Sequence, residues 1–172
     1  MSKRFSLREY QESMLGRMKV ATATSQADAR LGIEVGGRNW LVDLADAAEV
    51  LPVPKITGVP LAQAWFCGVA NVRGNLLSVV DLQAFWGEGA QTLTPLSRIL
   101  PIHPRILSHS ALLVGRMQGI KHLANMTRLP GLTDAPVWCG TQYRDDGGQD
   151  WCELDIKRLA VEPAFLQTGI IA

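Results

Sequence analysis

From about residue 30 onward, apolar and polar positions alternate in short runs, as expected of half-buried strands. LGIEV (31–35) and NWLVDL (39–44) flank Gly36 and Gly37 and predict a hairpin. DAAEVL (46–51) predicts a short helical turn stopped by Pro52 and Pro54, residues that fit poorly inside a regular element. WFCGVANVR (65–73) and LLSVVDL (76–82) flank Gly74-Asn75 and predict a second hairpin with a two-residue turn. In that register Arg73 opposes Leu76, Asn71 opposes Ser78 and Val69 opposes Val80. Ala70, Val72, Leu77 and Val79 then share the apolar face, leaving Asn71, Arg73 and Ser78 on the polar one.

DLQAFW (81–86) reads as a short helix ended by Gly87, followed by a polar loop to Ser97. RILPI (98–102) predicts a strand, SALLVG (110–115) with MQGIKHL (117–123) a further hairpin, and WCGTQY (138–143) with WCEL (151–154) another, around the turn-rich DDGGQ (145–149). Residues 155–166 suggest a short helix interrupted by Pro163. Helical spacing appears clearly at the N-terminus, where Leu7, Tyr10, Met14 and Met18 recur behind a capping-box pattern of Ser6 and Glu9. The expectation is an all-β protein of small barrels or a sandwich, with an N-terminal amphipathic helix and linker over 1–29 and the main domain over 30–172.

Composition adds mostly exclusions. The 172 residues suit one domain or two small subdomains sharing a core, with 47% apolar and 19% charged residues and no need for staples. Net charge is +1, which gives no electrostatic case for nucleic acid or a membrane surface. No apolar run approaches the roughly 20 residues that span a bilayer, so direct membrane insertion is not expected. Cys67, Cys139 and Cys152 form an odd set without CxxC spacing, and the N-terminus has no apolar h-region; the expectation is a reduced, cytoplasmic setting with cysteines packed as small hydrophobes.

The chain lacks GxxxxGK[ST], GxGxxG and GxSxG, so neither a phosphate cradle nor a nucleophile elbow is predicted. His103, His109 and His122 make no HxxxH pair, and a metal site would have to assemble from His122, Cys139 and Cys152; no metal or cofactor is expected. Two rival functions are a small hydrolase using Cys139 with His122 as base and a nucleic-acid-binding barrel using the five tryptophans as stacking platforms. Core packing is the simpler role for those rings, as a solvated turn is for Asp145 and Asp146.

Residues 40–82 resemble the CheW family of chemotaxis coupling proteins without a gap. The carriers are WLVDL (40–44), AAEVLP (47–52) and above all GVANVRGNLLSVVDL (68–82), similar to the family pattern G-V-x-N-x-R-G followed by hydrophobic-x-P-x-hydrophobic-D-L. Ser78 stands where that pattern has Pro. The N-terminal helix, EVLPVP (49–54), GIKHL (119–123) and WCELDI (151–156) resemble the PilI branch, which serves twitching motility. The resemblance implies two five-stranded SH3-like barrels, no active site, and an adaptor joining a CheA-type histidine kinase regulatory domain to a methyl-accepting, PilJ-like chemoreceptor in membrane-associated arrays. Flagellar chemotaxis is the alternative pathway. It also implies that Arg73, Glu49, Asn71, Gly74 and Ala47 form the protein-binding surface. Arg73 offers a rigid donor fork for a partner's carboxylates or carbonyls. The competing reading is an internal ion pair with Glu49.

Overall fold

The computed structural model describes residues 26–170. The N-terminal helix expected near residues 5–18 lies outside them. Twelve strands occur among the described residues: β1 (Ala29–Val35), β2 (Arg38–Asp43), β3 (Leu51–Pro52), β4 (Ile56–Thr57), β5 (Phe66–Val72), β6 (Asn75–Asp81), β7 (Arg98–Pro101), β8 (Ser110–Val114), β9 (Arg116–His122), β10 (Thr127–Arg128), β11 (Cys139–Arg144) and β12 (Asp150–Leu154). They form two six-stranded sheets, ordered β10-β11-β12-β2-β1-β9 and β3-β7-β8-β6-β5-β4. The expected all-β class and SH3-like description fit this arrangement, with six paired strands per sheet. Among the described residues the strands are accompanied by three one-turn α-helices, α1 (Leu82–Phe85), α2 (Ile156–Leu159) and α3 (Pro163–Leu166), and a 3-10 turn at Leu123–Asn125.

Strand β8 explains how the sheets share one interior. Its alternate residues leave on opposite faces, and both faces are covered. Leu112 and Val114 join the main core with Ile33, Val35 and Val42 of the first sheet and Val80, Leu100, Ile156 and Phe165. Ala111 and Leu113 enter a smaller core with Ala70, Val79 and Ile99. The unbroken apolar run 111–114 is therefore a central strand buried on both sides.

The expected hairpin of β8 with β9 does not form. β8 pairs with β6 and β7, whereas β9 pairs with β1 in the other sheet. The chain changes sheets at Gly115, whose N–H donates to the Glu34 carbonyl at 2.8 Å and whose missing Cβ leaves room for that backbone. Adjacent runs of strand character carry no information about which sheet each joins. Residues 46–51 likewise form a turn and strand β3, with no helix. Pro52 is tolerated in β3 because that two-residue strand lies at the sheet edge.

The β1–β2 hairpin forms as expected, with Gly36 and Gly37 both at positive φ. Helix α1 also appears where expected, because Asp81 caps it. The buried Asp81 carboxylate accepts from Ala84 N–H at 3.1 Å and from Gln91 N–H at 2.7 Å, tying the following loop to the strand end. In the tail, Pro163 opens α3 at its first turn, where the missing N–H costs no bond. It therefore separates two helices instead of interrupting one.

Replacing Asp81 by Ala would leave two backbone donors without this acceptor. The expected loss is about 2 kcal/mol in a urea unfolding measurement. Gly68, at φ 128, sits where a Cβ would land on the Thr57 carbonyl. Gly68→Ala should cost more than the ~1 kcal/mol of an ordinary Gly substitution, and amides of β4 should lose hydrogen-exchange protection.

Candidate protein-interaction site

Hairpin β5–β6 carries the predicted site, one position away from the expected turn. Val72 pairs with Asn75, Asn71 with Leu76 and Val69 with Ser78. The two central turn residues are thus Arg73 and Gly74, at φ 52 and 85, and Arg73 does not face Leu76 across the ladder. Each strand keeps the same residues on each face, because the pairing changed by two positions in total. Ala70 and Val79 are buried, with Val72 and Leu77 packed beside them, as the pattern indicated.

A turn with positive φ at both central positions suits the twist of a hairpin but strains any side chain other than Gly, Asn or Asp. Asn71 helps to hold it. Its side-chain oxygen accepts from Gly74 N–H at 2.9 Å. Gly74 occupies the second left-handed position without penalty. Asn71 and Gly74 accordingly build the turn, and Arg73 is displayed at its tip.

The Arg73 guanidinium donates from Nη1 to both Glu49 carboxylate oxygens, at 2.9 and 3.2 Å. The Arg73 side chain is 72% exposed and that of Glu49 37%. Solvent screens such a pair, so its stability contribution is about 0–1 kcal/mol. Its structural effect is to aim the guanidinium along the protein surface. Ala47 lies two residues upstream of Glu49 and is half-buried against the main core, where its backbone bridges to Ile102. It lies on the path of the Glu49 segment.

Beside the ion pair lies a groove of about 430 Å³, lined by Glu49, Val72, Arg73, Leu77, Ile102 and His109 among others. Leu76 stands exposed on the neighbouring strand position. The chain order gave no signal for Ile102 and His109, which arrive through the long β7–β8 connection. Ser78 faces Val69 and not Asn71, and its N–H donates to the His109 carbonyl at 2.8 Å. A Pro at this position would lack that donor.

The remaining chemistry candidates resolve differently. Cys139 and Cys152 are joined as a disulfide, contrary to the expectation of separate, reduced packing residues. While that bond is closed, the Cys139 sulfur is not a free nucleophile for the His122 hydrolase reading, and two of the three atoms of the conceivable metal set are occupied. Cys67 remains a thiol, and burial, with the nearby Asp81 charge, pushes its pKa up to about 11. Trp40 and Trp151 are buried, and Trp65, Phe85, Trp138 and Phe165 pack edge and face. These rings pack on one another and against the main core, and Trp40, Phe85 and Trp138 also line a groove.

A family model described as a CheW-like domain matches residues 30–162. The chain belongs to the CheW-like family. Protein PilI of Pseudomonas aeruginosa is 31% identical over 150 residues, covering 84% of this chain and 82% of its own. The crystal structure of the scaffolding protein TtCheW from Thermoanaerobacter tengcongensis has a TM-score of 0.63 at 20% identity, over 74% of this chain and 83% of that one. That likeness supports the fold. As a CheW-like protein, the chain is a non-catalytic scaffold of chemosensory signalling. No helix among the described residues is long and apolar enough to cross a membrane.

Asp145 has a structural role beyond that of a solvated turn residue. Its carboxylate accepts from the buried Trp151 indole N–H at 2.9 Å and from Gln149 N–H at 2.9 Å. The indole bond, then the backbone bond, holds this carboxyl below the usual range. The contribution to stability is thus fully present above the unfolded pKa of about 3.9 and is lost as pH falls through the lower folded value. Thermal melts from about pH 6 down to about pH 2 should show wild type more stable than Asp145→Asn at the upper end. The gap should narrow below about pH 3.9.

Proposed function

We propose that this CheW-like protein couples a methyl-accepting, PilJ-like chemoreceptor to the regulatory domain of a CheA-type histidine kinase, in a system controlling type IV pilus twitching motility. The relationship to PilI over most of both chains supports the twitching assignment. The protein acts in the cytoplasm and is recruited to receptor arrays at the membrane. Its domain proper spans 30–172, with residues 1–29 as an N-terminal extension.

The observation that carries the interface reading is the backbone of Arg73. A left-handed turn position at φ 52 is suited to Asn or Gly, and Arg occupies it at a cost of order 1 kcal/mol. An exposed ion pair worth no more than that leaves the internal role weakly rewarded. Recognition by a partner supplies the missing reason for Arg: five donors in a fixed plane, set beside an apolar groove and oriented by Glu49. Asn71, Gly74 and Ala47 support this surface by fixing the turn and the Glu49 segment.

Arg73→Asn separates display from folding, since Asn suits the turn. The variant should melt within about 1 kcal/mol of wild type, or above it, and bind the receptor tip or the kinase regulatory domain about tenfold or more weakly in titration. Unchanged binding to both would overturn the interface. An Arg73→Glu/Glu49→Arg exchange restores the internal pair with reversed positions, so recovery of binding would favour the purely internal role. In a deletion strain, complementation by wild type should restore the twitching zone; restoration of swimming bias instead would favour flagellar taxis.

A further inference from the structure

We propose that Cys139 and Cys152 form a reversible thiol–disulfide switch that controls the wall of the aromatic groove beside them. The groove encloses about 780 Å³, and its lining includes both cysteines together with Trp40, Phe85, Trp86 and Trp138. It lies between the first sheet and the helix α1 region, and shares no lining residue with the groove beside Arg73. Each cysteine directly follows a tryptophan of that region, Trp138 and Trp151.

The two sulfurs meet where the β11–β12 ladder is irregular. Cys139 pairs with Leu154 and Gln142 with Cys152, with the register shifting between them. Beyond this shift the hairpin is tied independently, by paired residues from Gln142 to Arg144 and by the two-bond Arg144–Asp150 ion pair. Breaking the bridge leaves that part of the ladder intact. What it releases is the foot of the connection between β10 and β11, which contributes Leu132, Pro136 and Trp138 to the groove. That foot keeps two backbone bonds, Cys139 N–H to Pro136 and Asp155 N–H to Trp138. The covalent tie anchors it to β12, which is locked against β2 and carries the buried Trp151.

The position and chemistry suit a reversible bond. A domain of this size with a core spanning two sheets does not need a permanent staple. Both cysteines are only partly buried and border a groove open to small thiols. Cys67 sits in the other sheet as a poorly ionised thiol, so it does not compete for exchange.

The oxidant is a low-molecular-weight disulfide such as oxidised glutathione. One protein thiolate attacks it, forming a mixed disulfide and expelling one small thiolate. The second protein thiolate then attacks the bound protein sulfur, closes the Cys139–Cys152 bond and expels the other. Two protein thiols lose two electrons and two protons in total, and one small disulfide becomes two thiols.

The full chain equilibrated in glutathione buffers, acid-quenched, denatured and alkylated should pass from three labels to one as the oxidised fraction rises. Three labels at every ratio would overturn the switch, as would one label retained in the most reducing buffer. Tryptophan emission should change with the same midpoint in wild type and stay constant in Cys139→Ser and Cys152→Ser. Emission that ignores the labelling midpoint would overturn the link to the groove. Oxidised wild type should melt about 5–10 °C above both variants, and that gap should close in excess dithiothreitol.

Discussion

Burial of β8 on both faces is the constraint on which the architecture depends. Because Leu112 and Val114 face one core while Ala111 and Leu113 face the other, β8 needs neighbours on each side and layers above and below. β6 and β7 supply the neighbours, and β6 divides its own residues the same way, Val79 to the smaller core and Val80 to the larger. The β5–β6 hairpin inherits its rigidity from this arrangement. Arg73 can be held in a strained turn only because the ladder beneath it is fixed by the packing of Ala70 and Val79 and by the Asn71 bond to Gly74.

Much of this was visible in the order of residues. Strand alternation located β1, β2, β5, β6, β11 and β12, and Gly36-Gly37 marked its turn. The alternation predicts the apolar face of the β5–β6 hairpin correctly and its turn one residue late. Gly74-Asn75 looks like a good turn, but the alternative Arg73-Gly74 pairing keeps the same faces and gains the Asn71 side-chain bond. Periodicity cannot separate two registers that bury the same residues. Partnership between strands was less legible. β8 and β9 are separated by Gly115 alone yet belong to different sheets, because the choice depends on β1 and β6, more than thirty residues away in sequence from each.

The proposed interaction surface shows the same division. Of the five residues that the resemblance implies, Glu49 bonds to Arg73 and Asn71 to Gly74, and Ala47 lies two residues before Glu49. Ile102 and His109 border the groove through tertiary structure, which no local pattern encodes. The cysteines illustrate the reverse limit: Cys152 follows Cys139 at a sequence separation of 13, across a Gly-rich turn, and only the strand register puts their side chains together.

The interleaved order of the sheets has a consequence for synthesis. All six strands of the second sheet, β3 to β8, are contiguous in the chain, whereas the first sheet is split around them. Strand β2 waits for its parallel partner β12, which follows about 110 residues later, or roughly 5–25 s at ordinary elongation rates. During that interval the second sheet can close its smaller core, while Trp40 and Val42 lack the strand that will border them. The cysteine-bearing hairpin, made after the whole of the second sheet, is the part that completes the sheet begun first.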